Sequence, residues 1–203
     1  MQRTGTTSVG QFFKDYDYKV ATWNISRKNN WSVEWFKGDF ESIFRSNDFR
    51  SNQVFEDDPW WCPDFYKVLF HRFPKSKFVL LERDADEWFN SMVKHSSGKT
   101  LGNTHLHAVI YNRLDEFSCN NFKEENRYTP ILDNLLPLDE TYRKKYTSFY
   151  KLRNKEVKDY FDRFGKDRII IIQLEDKDKW QKLGLFLKIK VNLDYEVHAN
   201  KSK

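Results

Sequence analysis

Two cysteines, Cys62 and Cys119, are all that the 203 residues contain. They are too few and too far apart for a disulfide framework or a four-ligand zinc site, so a reducing compartment is expected, with the cytoplasm as the simplest location. No stretch approaches the roughly 20 apolar residues that span a bilayer. The first residues lack the basic-then-apolar pattern of a secretion signal. Internal repeats and low-complexity linkers are also missing, which predicts a single domain over residues 1–203. Charge of one sign is scarce too: 35 Lys and Arg stand against 30 Asp and Glu, a net +5. A sequence pI near 9.0 suits an anionic ligand without making the chain polybasic. What is plentiful is aromatic material, 17% of the chain, which supplies a core despite a charged fraction of 32%.

Hydrophobic spacing divides the chain into elements. In "SVGQFFKDY" Val9, Phe12 and Phe13 recur at helical intervals, so a short helix follows the opening turn "RTGTTS". "YKVATWNI" (18–25) and "NQVFED" (52–57) are candidate strands, the second closed by Pro59. Phe65, Val68, Leu69 and Phe73 predict a helix between Pro63 and Phe73. "FVLL" (78–81) and "IIII" (169–172) are continuous apolar runs of the kind expected for strands covered on both faces, which predicts a parallel sheet flanked by helices, the α/β class. Residues 95–140 read as loops around an intervening helix. Tyr146, Phe149, Tyr150, Val157 and Phe161 predict a long amphipathic helix over 140–164.

Two places are suited to an anion. A turn feeding a helix start offers backbone N–H groups, the helix dipole and hydroxyls. Arg3, Thr4, Gly5, Thr6, Thr7 and Ser8 fit that use, with Arg3 as a forked cation. The G-x-x-x-x-G-K pattern of a nucleotide kinase or GTPase is absent. The plain alternative is a surface turn with Ser8 as helix cap. Further on, "FVLLERDADEWFNS" puts Arg83 just past an apolar strand, where open α/β sheets bind ligands, and Ser91 about two turns into the next helix. The alternative there is Arg83 paired with Asp84 or Asp86 and Trp88 as core.

Taken together, "RTGTTSVGQ", "DDPWWCPDFYKVLFHRFPKSKFVLLERDADEWFNSM", "DRIIIIQLEDKDKWQKLGLFL" and the terminal "HAN" resemble, in order, the P-loop sulfotransferases whose members carry a G-R-T-G-T-x-S-L turn. The resemblance implies a P-loop three-layer α/β fold and 3′-phosphoadenosine 5′-phosphosulfate (PAPS) as donor. It places the phosphosulfate on Arg3–Ser8 and the 3′-phosphate on Arg83 and Ser91. That family's turn follows an apolar first strand, whereas only Met1 and Gln2 precede Arg3, so that strand is expected to be missing or truncated. Ala85 stands where the family has proline, and arginine stands in the turn where many relatives have lysine.

Sulfuryl transfer needs a base for the acceptor proton, and the resemblance puts an acid before "PWW". Asp58 is the first choice and Asp57 the second, with capping of the helix near Pro63 as the alternative role. Arg3 is expected to act on the charge that develops during transfer. Lys179, Lys182 and the tail residues His198, Asn200 and Lys201 are further candidates near the donor. No metal is invoked: His105 and His107 have H-x-H spacing but no accompanying ligand pattern. The acceptor is not legible. Two other functions fit parts of the sequence: an inactive relative that binds an adenosine phosphate, and a nucleic-acid binder using the seven tryptophans, which is disfavoured because most of them fall at core positions.

Overall fold

The computed structural model describes residues 3–96, 105–116 and 138–199. Helix α1 (Thr6–Asp15) opens the chain, with Gly5 as N-cap at φ 88°, a left-handed conformation that glycine adopts without strain. Its end is a left-handed reversal at Asp17, where Tyr18 N–H returns to the Phe13 carbonyl at 2.9 Å. Strand β1 follows but holds only Val20–Ala21. The strand expected over 18–25 is cut short because α2 (Trp23–Lys28) begins at once. Its i, i+4 pairs favour the helix: Arg27 lies over the Trp23 ring at 5.2 Å, and Asn29 Nδ2 donates to the Ile25 carbonyl at 2.9 Å.

Helices α3 (Trp31–Lys37), α4 (Phe40–Arg45) and α5 (Asn47–Ser51) complete an insertion before β2 (Val54–Phe55). Asp39 and Ser46 cap α4 and α5 by accepting the Ser42 and Phe49 N–H groups. Much of the aromatic content is spent here: Trp31, Phe44 and Phe65 are buried with Phe49, Phe55, Trp60 and Phe73 packed on them. β1 and β2 pair in parallel, Val20 opposite Val54 and Ala21 opposite Phe55.

After α6 (Phe65–Arg72) come β3 (Phe78–Glu82) and, much later, β4 (Ile169–Gln173), parallel partners from Phe78↔Ile169 to Glu82↔Gln173. The helix–strand reading of 63–82 and the parallel pairing of the two apolar runs are therefore found. Among the described residues the strands form two separate pairs, β1–β2 and β3–β4. One face of β3–β4 is covered as expected. Val79, Leu81, Ile170 and Ile172 share a core with Val20, Val54, α1 and α10 (Lys179–Leu187). The other face differs from expectation, since Phe161 and Phe70 cover it at Phe78 while Ile171 stays 42% exposed. Burying one such side chain contributes about 1.5–3 kcal/mol, and α1 commits Val9, Phe12 and Phe13 to this core.

The chain divides into two compact units, residues 1–83 with 156–203 and residues 84–155. The second holds α7 (Ala85–Ser96), α8 (His105–Ile110) and the start of α9 (Arg143–Phe164), the long amphipathic helix expected from the sequence. Asp84 caps α7 through the Asp86 and Glu87 N–H groups at 2.9 and 3.0 Å. Trp88 stacks on Tyr150 at 4.6 Å, and Arg143 reaches Asp86 at 3.1 Å and Asn90 at 2.7 Å. The loop reading of 95–140 lies largely outside the described residues, as does Cys119.

One packing detail is testable. Gly10, in the second turn of α1, faces the Glu56 carboxyl so closely that a Cβ would lie 2.5 Å from Oε2 and 2.6 Å from Cδ. Alanine normally stabilises a helix relative to glycine by up to about 1 kcal/mol. Gly10→Ala is expected to destabilise instead, by about 1–3 kcal/mol, a fall of several degrees in the thermal midpoint. The same change placed on Glu56→Ala should cost much less. Equal cost in both backgrounds would mean that the carboxyl yields freely.

Candidate functional site

The turn Arg3–Ser8 packs against the carboxyl-terminal ends of β3 and β4. Thr4 is 1% exposed, and a Cβ on Gly5 would meet Leu174 Cδ1 at 2.6 Å. Leu174 follows β4 and its N–H donates to the Glu82 carbonyl at 2.6 Å, so turn and strand ends are mutually fixed. The Gly5 carbonyl accepts from the Ser8 and Val9 N–H groups at 3.0 and 3.2 Å, closing the first turn of α1. Ser8 is thus not the cap, a position held by Gly5. Its Oγ instead accepts the Ala199 N–H at 3.1 Å. Tyr195, four residues earlier, donates to Asp15 at 2.6 Å and packs on Phe12 and Trp180. The tail is therefore laid along α1; His198 is within it, and Asn200 and Lys201 lie outside the described residues.

Arg3 and Arg83, 80 positions apart in sequence, are brought together. The Arg3 pKa is lowered, first by burial and then by the Arg83 guanidinium. Arg3 sits at φ 63°, a left-handed conformation uncommon for a residue with a side chain. The Arg83 side chain is 18% exposed, with its Nε 3.7 Å from Glu175 Oε1. Two guanidiniums in a partly enclosed corner repel each other, and a shared anion relieves that repulsion.

Three consecutive acids leave the end of β2. Asp58 is held on both oxygens: the Ser32 hydroxyl donates to Oδ2 and the Cys62 thiol to Oδ1, the latter at 3.2 Å. It does not cap the helix near Pro63; α6 starts after Asp64 with no side-chain cap bond. Asp57 adopts φ 66° and accepts the Asp58 backbone N–H. Burial, then the neighbouring Asp58 charge, raise its pKa to about 6. Glu56 was not singled out by its sequence position. Burial, then Asp57, push its pKa to about 7, against the lowering influence of Lys14. Its Oε2 is buried without a hydrogen-bond partner among the described residues. The one signal in the sequence is that the acidic run begins at Glu56, one residue before Asp57 and Asp58.

Lys179 and Lys182 are occupied locally. Lys179 donates to the Asp176 carbonyl at 3.1 Å, and Lys182 pairs with Asp176 and Asp178 at 2.7 and 2.9 Å. Ser91 belongs to α7 in the second unit. Among the described residues no group of three or more His, Cys, Asp or Glu is placed to hold a metal ion, and no helix is long and apolar enough to cross a membrane.

With this geometry in place, the sequence comparisons fix the class. Residues 1–203 match the family described as "Sulfotransferase domain", and the chain belongs to that family. No curated protein matches it.

The acids give a pH prediction. Raised pKa values mean that the native state holds these protons more tightly than the unfolded chain, whose reference values are 4.5 for Glu and 3.8 for Asp. Their stabilising contribution is complete below those reference values and is lost as the pH rises through about 6 and 7. The thermal midpoint should fall between pH 5 and pH 8, and Glu56→Gln should lessen that fall. An unchanged pH dependence in the variant would show that Glu56 ionises as an ordinary solvated carboxylate.

Proposed function

We propose that this chain transfers a sulfuryl group from PAPS to an acceptor hydroxyl or amine. The observation that carries the reading is the pairing of Arg3 with Arg83 at the start of α1 and the end of β3. PAPS carries two anionic groups, and membership of the sulfotransferase family gives that cationic corner a chemical purpose. We assign the 5′-phosphosulfate to Arg3, Thr4, Gly5, Thr6, Thr7 and Ser8, where the N-terminal end of α1 favours negative charge. We assign the 3′-phosphate to Arg83 with Ser91. The whole chain is read as one catalytic domain of the P-loop three-layer type. The two parallel strand pairs among the described residues are compatible with that reading.

In the transfer step an acceptor oxygen attacks sulfur as the bond from sulfur to the phosphate oxygen breaks, and that oxygen leaves with the bonding electron pair. Arg3 faces the charge that grows on the leaving phosphate and the equatorial oxygens. The acids after β2, with Asp57 and Asp58 as the motif positions, form the acceptor end. Holding these groups in place does most of the work, since positioning and fixed charge dominate transfers of this kind.

This reading predicts a selective affinity. Adenosine 3′,5′-bisphosphate should bind much more tightly than adenosine 5′-phosphate, and Arg83→Ala should weaken the bisphosphate by about 2–3 kcal/mol, the scale of a charge-assisted contact. Calorimetry decides the matter. Equal affinities for the two nucleotides would overturn the assignment of the 3′-phosphate, and an unaltered dissociation constant in the variant would remove Arg83 from the site.

A further inference from the structure

We propose that Glu82 and Lys158 form a positioning pair that sets the direction in which Arg83 leaves β3, and with it the preference for a donor bearing a 3′-phosphate. The inference rests on the sulfuryl-transfer reading and deepens it. Side chains along β3 alternate between two faces. Val79 enters the core shared with α1 and Leu81 lies in it, whereas Phe78 and Glu82 meet α9 on the other face. There Phe161 packs on Phe78 with ring centroids 4.8 Å apart. Lys158, three residues earlier on the same helix, pairs with Glu82, Nζ to Oε1 at 3.0 Å. Gln173, opposite Glu82 in the strand register, donates from Nε2 to Oε2 at 3.3 Å. The Glu82 carbonyl accepts the Leu174 N–H at 2.6 Å. Glu82 is thus held by the helix, by the neighbouring strand and through its own main chain.

An apolar residue would continue the pattern of the strand at this position and pack the sheet as well. Instead the residue is a carboxylate only 9% exposed, and withdrawing it from water costs much of what its attraction to an ammonium returns. A pair of that kind adds little stability; what it supplies is one fixed arrangement. The residue that follows is Arg83, and the path of its main chain starts from a carbonyl and a side chain that are both pinned. A guanidinium fork holds a phosphate well only when it is presented at a set angle. Leu174, bonded to the Glu82 carbonyl, is also the residue on which Gly5 packs, so the same joint backs the turn that carries Arg3. Charge by itself argues against a carboxylate here, since a negative group beside an anion-binding arginine repels the anion. Lys158 offsets that charge, so Glu82 can hold the strand end without opposing the phosphate.

Glu82→Gln and Lys158→Met break the ion pair from its two sides. Each variant and the double variant would be titrated calorimetrically with adenosine 3′,5′-bisphosphate and with adenosine 5′-phosphate, and the thermal midpoint measured alongside. In both single variants the preference for the bisphosphate should fall by at least about fivefold, within the range by which residues that do not touch a ligand alter its binding. The double variant should lose no more than either single one, because the second change finds the pair already broken. The sign at Glu82 separates geometry from field: were charge alone at work, removing the carboxylate would tighten the bisphosphate while removing the ammonium would weaken it. Opposite shifts of that kind overturn the inference. So do losses that add in the double variant, and so does a preference that survives in either folded variant, whatever its midpoint, which is how a merely structural pair behaves. The donor assignment stands in each of these cases. The Lys158 side chain is 41% exposed, so Lys158→Met leaves the fold intact and carries the test by itself if Glu82→Gln does not fold. A wild type that binds the two nucleotides equally overturns the 3′-phosphate assignment and this inference with it.

Discussion

The structure turns on a repulsion. Arg3 and Arg83 carry like charges in a corner that is partly closed to water, where Glu175 stands 3.7 Å from Arg83 and a bound anion would relieve the repulsion further. The surroundings hold the pair in place. Gly5 takes the left-handed conformation that starts α1, Leu174 packs where a Cβ on Gly5 would go, and the parallel register of β3 and β4 sets Arg83 beside Glu175. α1 in turn is anchored by Val9, Phe12 and Phe13 in the core it shares with both strand pairs. The core therefore determines where the cations point.

At the other end of the site, negative charge is crowded in the same way. Glu56, Asp57 and Asp58 follow one another at the end of β2, and burial raises the pKa values of the first two toward neutrality. A cationic corner and an acidic strand end are both set against α1 or its leading turn; in the proposed transfer the first would neutralise what leaves and the second would stand at the acceptor end. Lys14 tempers the acidic end, and the tail from Tyr195 to Ala199 ties down the helix that serves both.

Several of these features could be read in the sequence, for reasons that differ. "FVLL" and "IIII" announced β3 and β4 because a continuous apolar run bounded by polar residues has few other homes, and Phe12 and Phe13 marked the buried side of α1. The run 18–25 misled because its β-favouring residues were outweighed by local helical pairs from Trp23 onward. The exposure of Ile171 could not be foreseen, since it depends on which elements cover the second face of β4. The turn and Arg83 each read as an anion site in the sequence, but their approach to one another is a tertiary fact. Glu56 is not legible in the sequence because its character comes from burial against Gly10, which no local pattern encodes.

The central claim is that Arg3 and Arg83 act together on one donor that carries two anionic groups, and a double-mutant cycle tests it most directly. Arg3→Ala, Arg83→Ala and the double variant would each be titrated with adenosine 3′,5′-bisphosphate, and the thermal midpoint of each free protein measured alongside. Shared use of one ligand predicts a coupling energy of at least about 0.5 kcal/mol in binding, with a midpoint that shows each variant to be folded. Strictly additive losses of affinity would contradict the account and make the two arginines independent cations.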